Sequence, residues 1–220
     1  MIKACIFDMD GTVLDTIGTI TYYVNITLRK FGIREISEDE CKKFVGNGAK
    51  ILIERTLKSR GILDAELLSS VLESYNSAYD ENPTYLTAPY EEILDLLSAL
   101  KSRGIKIGIV SNKPDFLTRP LSERFFGTLI DLAVGGKEGV PLKPAPDSVL
   151  GMLKDFGVSP TECAYIGDTG VDMKTGKNAG AVLTVGVLWG FRTTLELLES
   201  GADVLVDRPL KILDEVLNID

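Results

Sequence analysis

The segment "ACIFDMDGTVLD", residues 4–15, joins an apolar run to three carboxylates, Asp8, Asp10 and Asp15. The apolar part belongs to the run 2–7, which predicts a buried β-strand that ends at the first carboxylate. Two carboxylates about 5 Å apart at an effective dielectric near 20 repel each other by roughly 3 kcal/mol. A carboxylate pair at the end of a buried strand therefore predicts a cation beside it.

Five further apolar runs along the chain predict strands, since each is short, rich in β-branched residues and bounded by turn residues. They are residues 105–110, 129–134, 163–166, 182–187 and 203–206. Helical patterns lie between them, as in "EEILDLLSALKSRG" (91–104) and "DSVLGMLKDFG" (147–157), each of which ends in glycine. This alternation predicts an α/β fold with a Rossmann-like, three-layer parallel sheet.

Residues 15–84 interrupt the alternation, because they contain four amphipathic helical patterns and no strand pattern. One of these helices is predicted to begin at a capping box formed by Ser37 and Glu40. We therefore expect two domains. An α/β core would comprise residues 1–14 and 85–220, and an inserted four-helix domain would comprise residues 15–84.

The composition excludes several classes of function. The 220-residue chain has a formal net charge of −8, which disfavours binding to nucleic acid or to an anionic membrane. It contains no histidine, which excludes a Ser-His-Asp triad and His-ligated zinc. Its three cysteines are too few and too scattered for a disulfide framework, so we expect reduced thiols in a cytoplasmic protein.

Polar residues follow the predicted strands at the points where the strands end. In a parallel sheet these ends share one edge, where ligands bind. Taken singly, each of these residues is more often a turn residue, a helix cap or a surface lysine. Together they form an oxygen-rich site that suits Mg²⁺, with a lysine and a hydroxyl opposite for a phosphate group. The residues are Asp8, Asp10, Ser111, Asn112, Lys113, Lys143, Asp168 and Asp172.

Four motifs in order resemble those of the haloacid-dehalogenase-like hydrolase superfamily over nearly the whole chain. They are "FDMDGTVLD", the serine in "IVSNKP", the lysine in "LKPAPD", and "YIGDTGVDM". The helical insert resembles the superfamily's small helical cap of the C1 type. The segments "FVGNGAKILIERTL" (44–57) and "GVLWGFR" are similar to those of bacterial phosphoglycolate phosphatases.

The resemblance implies a catalytic role for each aspartate. Asp8 would be the nucleophile that forms an aspartyl-phosphate, and Asp10 would be the general acid and then the general base. Mg²⁺ would be held by Asp8, Asp168 and the backbone carbonyl of Asp10. Asp172 would be either a direct ligand or a partner of the ligands.

The resemblance also implies how a small phosphate ester is bound. Ser111, Asn112 and Lys143 would hold the phosphoryl group, and Thr12 would assist. Gly46, Asn47 and Gly48 in the cap would present backbone amides to a small carboxylate; without the resemblance, they are as well explained as a turn between helices.

The expected function is a Mg²⁺-dependent phosphomonoesterase, with 2-phosphoglycolate as the leading substrate. Asp10 favours phosphoryl transfer over dehalogenation, since an alkoxide needs a proton on leaving and a halide does not. The alternatives are a β-phosphoglucomutase-like isomerase, a pyrophosphatase or sugar-phosphate phosphatase, and a non-catalytic interaction protein. We expect a monomer or homodimer that binds neither nucleic acid nor membrane.

Overall fold

The computed structural model describes residues 1–219, in which the main feature is a six-stranded parallel sheet of order β5-β4-β1-β6-β7-β8. Two further short strands, β2 and β3, pair separately with each other. The fold class predicted from the sequence is confirmed. The strands are β1 (Ala4–Phe7), β2 (Leu14–Asp15), β3 (Ala88–Pro89), β4 (Lys106–Pro114), β5 (Leu132–Gly136), β6 (Cys163–Gly167), β7 (Leu183–Val187) and β8 (Val204–Val206).

The central strands are apolar on both faces, because helices cover the sheet on both sides. In β1, Cys5 and Phe7 pack into the core on one face, while Ala4 and Ile6 pack into the core on the other. This is the period-two alternation of a strand. All four side chains are fully buried, which explains why the strand Ala4–Phe7 contains no polar residue.

Helices form the two outer layers of this α/β unit. Leucines of α5 and apolar residues of α10 pack on one face, and those of α7 pack on the other. The helices are α5 (Ile93–Ser102), α6 (Asp115–Phe126), α7 (Asp147–Phe156), α8 (Gly170–Ala179), α9 (Thr194–Glu199) and α10 (Leu210–Leu217), with short 3-10 helices at Gly127–Leu129 and Pro160–Glu162.

The strand order reverses at β1. From β1 the chain builds outward through β4 and β5, and then returns to the opposite side of β1 to build β6, β7 and β8. Ligands bind in parallel sheets at such a reversal, beyond the carboxyl ends of the strands. The fold therefore predicts a ligand site among the residues at the carboxyl ends of β1, β4 and β6.

The chain divides into two compact units. One unit comprises Met1–Asp15 with Pro89–Asp220, and the other comprises Thr16–Ala88. The second unit contains the helices α1 (Ile17–Lys30), α2 (Glu38–Phe44), α3 (Ala49–Ser59) and α4 (Ala65–Glu81). Every helix within residues 1–219 is too short or too polar to span a lipid bilayer.

Two polar arrangements stabilise the helical unit. At the start of α2, the Ser37 hydroxyl accepts from the backbone of Glu40, and the Glu40 carboxylate accepts from the backbone of Ser37, which confirms the predicted capping box. The Arg60 guanidinium donates to both carboxylate oxygens of Glu40 and to the carbonyl oxygens of Arg34 and Glu35. These bonds join α2, the end of α3 and the segment after α1.

Candidate active site

The loop after β1 is held in a tight turn. Asp8 continues the ladder beyond the strand, because its N–H donates to the Ile166 carbonyl at 2.9 Å. The N–H groups of Val13 and Leu14 then donate to the Met9 carbonyl. Gly11 has a φ of +88°, and an added Cβ would lie 2.5 Å from a carboxylate oxygen of Asp168. A side chain at this position would therefore displace the carboxylate.

Three carboxylates meet at the edge of the sheet. One oxygen from each of Asp8, Asp168 and Asp172 lies within 4.8 Å of the other two, and all three residues are buried. Asp8 follows β1, Asp168 follows β6, and Asp172 lies in the first turn of α8. The structure thus brings together residues from distant parts of the chain.

Hydrogen bonds fix the orientation of these carboxylates. Asp168 accepts from the Thr12 hydroxyl at 3.1 Å and from the Phe191 N–H at 2.8 Å. Asp172 accepts from the hydroxyl and the N–H of Thr169, the residue that caps α8. Each of these contacts uses one carboxylate oxygen in a defined direction, so the cluster is preorganised.

Lys143 supplies the positive charge in this cluster. Its ammonium lies 2.6 Å from Oδ1 of Asp8 and 2.7 Å from Oδ1 of Asp172, and the side chain is 3% exposed. Asn112 holds the lysine backbone from the neighbouring strand: its Oδ1 accepts from the Lys143 N–H at 2.8 Å, and its Nδ2 donates to the Lys143 carbonyl at 3.2 Å.

The charges in the cluster do not balance, and the pKa values reflect this. Burial, followed by the Asp172 carboxylate, raises the pKa of Asp8 to about 7, although Lys143 opposes the shift. Burial and the neighbouring carboxylates raise the pKa of Asp168 well above its ordinary value. Burial alone would lower the pKa of Lys143, but Asp172 and Asp8 outweigh it, and the pKa lies well above its ordinary value.

A divalent cation fits this arrangement of donors. If all three carboxylates were ionised, they would face a single ammonium and leave two uncompensated negative charges in a buried site. Carboxylate oxygens are the ligands that hard divalent cations prefer. Such an ion would favour the ionised forms of Asp8 and Asp168, which burial alone disfavours.

Asp10 forms a separate ion pair. Its Oδ2 lies 3.0 Å from the ammonium of Lys113, whereas its Oδ1 is buried and has no hydrogen-bond partner among residues 1–219. Sequence reasoning places Lys113 at this edge of the sheet but gives it no role. The available signal is its position two residues after Ser111, which places both side chains on the same face of a strand.

The other predicted site residues divide between the two units. Ser111 and Asn112 are buried in β4, which extends through them to Pro114 rather than ending at Val110. The extension follows from the pairing of Pro114 with Gly136, beyond an irregularity in the β4–β5 register. Gly46, Asn47 and Gly48 lie in the helical unit, between α2 and α3.

Comparison with known proteins identifies the family to which this chain belongs. The family model described as haloacid dehalogenase-like hydrolase matches residues 5–186. The chain therefore belongs to the haloacid dehalogenase-like hydrolase family.

Individual relatives resemble the chain over nearly its whole length. A phosphoglycolate phosphatase from Aquifex aeolicus is 33% identical, covering 96% of this chain and 97% of its own. An N-acetylmuramic acid 6-phosphate phosphatase from Pseudomonas aeruginosa is 28% identical, with coverages of 97% and 94%. The crystal structure of a "putative phosphoglycolate phosphatase" from Lactobacillus delbrueckii subsp. bulgaricus superposes with a TM-score of 0.94 at 33% identity, covering 99% of both chains.

Proposed function

We propose that the protein is a Mg²⁺-dependent phosphomonoesterase that hydrolyses a small organic phosphate, most specifically 2-phosphoglycolate. The observation that carries the proposal is the cluster of Asp8, Asp168 and Asp172, in which Lys143 contacts Asp8 and Asp172. Asp10 adds a carboxylate oxygen that has no hydrogen-bond partner within residues 1–219. Relatives named as phosphoglycolate phosphatases, which match over nearly the full chain, support the choice of substrate.

Asp8 is the nucleophile in this proposal. A carboxylate oxygen of Asp8 attacks phosphorus, the bond from phosphorus to the ester oxygen breaks, and an aspartyl-phosphate forms. The Lys143 ammonium, 2.6 Å from Asp8, favours the ionised form of the carboxylate and holds it in place. Mg²⁺ bound to Asp8, Asp168 and the backbone carbonyl of Asp10, with Asp172 as a ligand or behind the ligands, would neutralise charge on the phosphoryl oxygens.

Asp10 handles the protons of both steps. It gives a proton to the departing alkoxide, and it then accepts a proton from the water that attacks the aspartyl-phosphate. Free phosphate and the unmodified Asp8 carboxylate result. Its buried Oδ1 is the oxygen suited to this transfer, because Oδ2 is engaged by Lys113.

Phosphate binding involves β4 and the loop that carries Lys143. The Ser111 hydroxyl and the Lys143 ammonium bind phosphoryl oxygens. Asn112 acts through Lys143, because both ends of its amide contact the backbone of that lysine. Thr12 contributes by holding Asp168 in place.

Substrate choice is assigned to the helical unit. We propose that residues 1–14 and 85–220 form the catalytic core and that residues 15–84 form a cap, with boundaries close to those of the two compact units. In the cap, Gly46, Asn47 and Gly48 present backbone amides at the start of α3 to the substrate carboxylate. We also propose a cytoplasmic location, in keeping with three free and buried cysteines.

A phosphate-release assay tests the proposal. Purified protein is incubated with 2-phosphoglycolate, N-acetylmuramic acid 6-phosphate, β-glucose 1-phosphate or pyrophosphate, with Mg²⁺ or with a chelator. We expect the highest kcat/KM with 2-phosphoglycolate, and no turnover with the chelator or in the Asp8→Asn variant. Phosphate release from none of the four compounds would refute the proposed class. Preference for the muramic acid ester, which one relative's name suggests, would refute only the substrate.

Metal binding has a readout that does not depend on turnover. Trp189 is the single tryptophan of the chain, and its indole N–H donates to the Thr12 carbonyl at 3.0 Å, beside the carboxylate cluster. We expect its fluorescence to change on addition of Mg²⁺ in wild type and not in Asp168→Asn. A titration curve of the variant that matches wild type would contradict the assigned metal ligand.

A further inference from the structure

Lys113 is a buried lysine whose role the proposed reaction does not yet explain. Its side chain is 7% exposed, and lysine is rarely this buried unless it is paired. The ammonium lies 3.0 Å from Oδ2 of Asp10 and belongs to a different ion pair from that of Lys143, which contacts Asp8 and Asp172. The two aspartates that would perform the chemistry are thus each paired with a different lysine.

The backbone around Lys113 is held by two hydrogen bonds and by close packing of β5. Its N–H donates to the Ser111 hydroxyl at 3.2 Å, and its carbonyl accepts from the Thr118 hydroxyl at 3.1 Å. A Cβ added at Gly135 would lie 2.5 Å from the same carbonyl oxygen, so the neighbouring strand packs closely against it. A long and flexible side chain therefore starts from a rigid base, which allows it to hold its partner in a defined place.

The partner carboxyl needs such support. The terminal torsion of an aspartate has a broad, roughly two-fold energy profile, so an unsupported carboxyl rotates readily. In Asp10 one oxygen contacts Lys113, and the other is buried without a hydrogen-bond partner in the described part of the chain. A buried acceptor without a partner is unfavourable, so the surrounding structure has to hold it in place.

We propose that Lys113 is a positioning residue that orients the Asp10 carboxyl for proton transfer. Its ammonium holds Oδ2, so that Oδ1 points to the ester oxygen of the substrate. Oδ1 gives its proton to that oxygen as the bond to phosphorus breaks, and it later takes a proton from the attacking water. Lys113 itself neither gains nor loses a proton. This inference rests on the proposed function, because it assumes that Asp10 is the acid and base.

A double-mutant cycle tests whether Lys113 acts through Asp10. Lys113→Met keeps the length of the side chain and removes its charge. With 2-phosphoglycolate we expect kcat to fall roughly 10- to 100-fold with KM within about two-fold of wild type, since misplaced catalytic groups lose rates of this order. In the Asp10→Asn background, the same substitution should have no further effect.

Two further variants serve as a rescue and a control. Lys113→Arg should restore part of the rate. Lys154→Met, on the exposed face of α7, should leave kcat unchanged.

A second substrate separates the two proton transfers. The leaving group of p-nitrophenyl phosphate departs without a proton, so the first step needs no acid. In Lys113→Met we expect a rapid burst of p-nitrophenolate, close to one per enzyme, followed by turnover that is as slow as in Asp10→Asn. A structural role for Lys113 would reduce the burst as well as the turnover.

Three outcomes would overturn the inference. One is an equal fall in rate in the wild-type and Asp10→Asn backgrounds, and another is a raised KM with kcat intact, which would make Lys113 a substrate-binding residue. The third is loss of the burst in both Lys113→Met and Lys113→Arg while their unfolding curves match wild type. If wild type hydrolyses p-nitrophenyl phosphate but not 2-phosphoglycolate, only the proposed substrate is refuted. The double-mutant cycle is then measured with p-nitrophenyl phosphate.

Discussion

Replacing Asp8 by asparagine should stabilise the metal-free protein while it removes activity. In the folded, metal-free protein the pKa of the Asp8 carboxyl is about 7, whereas the ordinary pKa of an aspartate is 3.8. Between these values the folded state binds more protons than the unfolded state, so stability falls as the pH rises through this window. A shift of this size corresponds to about 4 kcal/mol.

Asparagine does not titrate, so the stability of the Asp8→Asn variant does not fall in this way as the pH rises. Its free energy of unfolding without metal should exceed that of wild type by up to about 4 kcal/mol at pH 8, and the difference should disappear near pH 4. The introduced amide also retains an oxygen for Lys143, which remains paired with Asp172. Saturating Mg²⁺ should reverse the order of stabilities, because ligand binding stabilises only a protein that binds it.

The assay is urea unfolding followed by Trp189 fluorescence, at several values of pH between 4 and 8 with a chelator present. Asp155→Asn serves as the control, since this carboxylate is exposed near the end of α7. If Asp8→Asn is less stable than wild type at pH 8, or if its effect does not vary with pH, the account of burial and charge repulsion at Asp8 is wrong.

Three further substitutions probe the supports of the site and of the helical unit. Lys143→Met should destabilise the metal-free protein by about 3–5 kcal/mol in urea unfolding at pH 8, because Asp8 and Asp172 lose their counter-charge; a loss below about 1 kcal/mol would contradict this. Asn112→Ala should destabilise by about 1–3 kcal/mol, from two lost hydrogen bonds, and should lower kcat; unchanged turnover would show that the amide does not position the lysine. Ser37→Ala should lower stability by about 1 kcal/mol in thermal unfolding and leave kcat intact; no change in melting temperature would argue against the capping box as a stabilising element.

The fold was largely predictable, because strands buried on both faces are apolar throughout. All six predicted strands are present, and four distinct helices form the insert. The residues at which the strands end were less predictable. The sequence pattern predicts that β4 ends at Val110, where polar residues begin, yet the strand continues to Pro114 through pairing with Gly136. That pairing joins segments that are not adjacent in the sequence, and the local pattern carries no trace of it.

The sequence predicts which residues form the site better than it predicts the contacts between them. The convergence of Asp8, Lys143 and Asp168 follows from the rule that parallel strands end at one edge. The roles of Asn112 and Lys113 depend on distances between separate strands and loops. The sequence shows a polar triplet after an apolar run. It does not show that the amide engages the backbone of residue 143 or that the neighbouring ammonium reaches Asp10.

The reciprocal contact between Asn112 and the Lys143 backbone has a consequence for protein engineering. The lysine and the strand that steadies it come from segments 31 residues apart, so neither is a self-contained module. If the lysine-bearing loop alone were transferred to another scaffold, the ammonium would lack the contacts from Asn112 that orient it. A graft intended to transfer this chemistry has to include both segments in their native register.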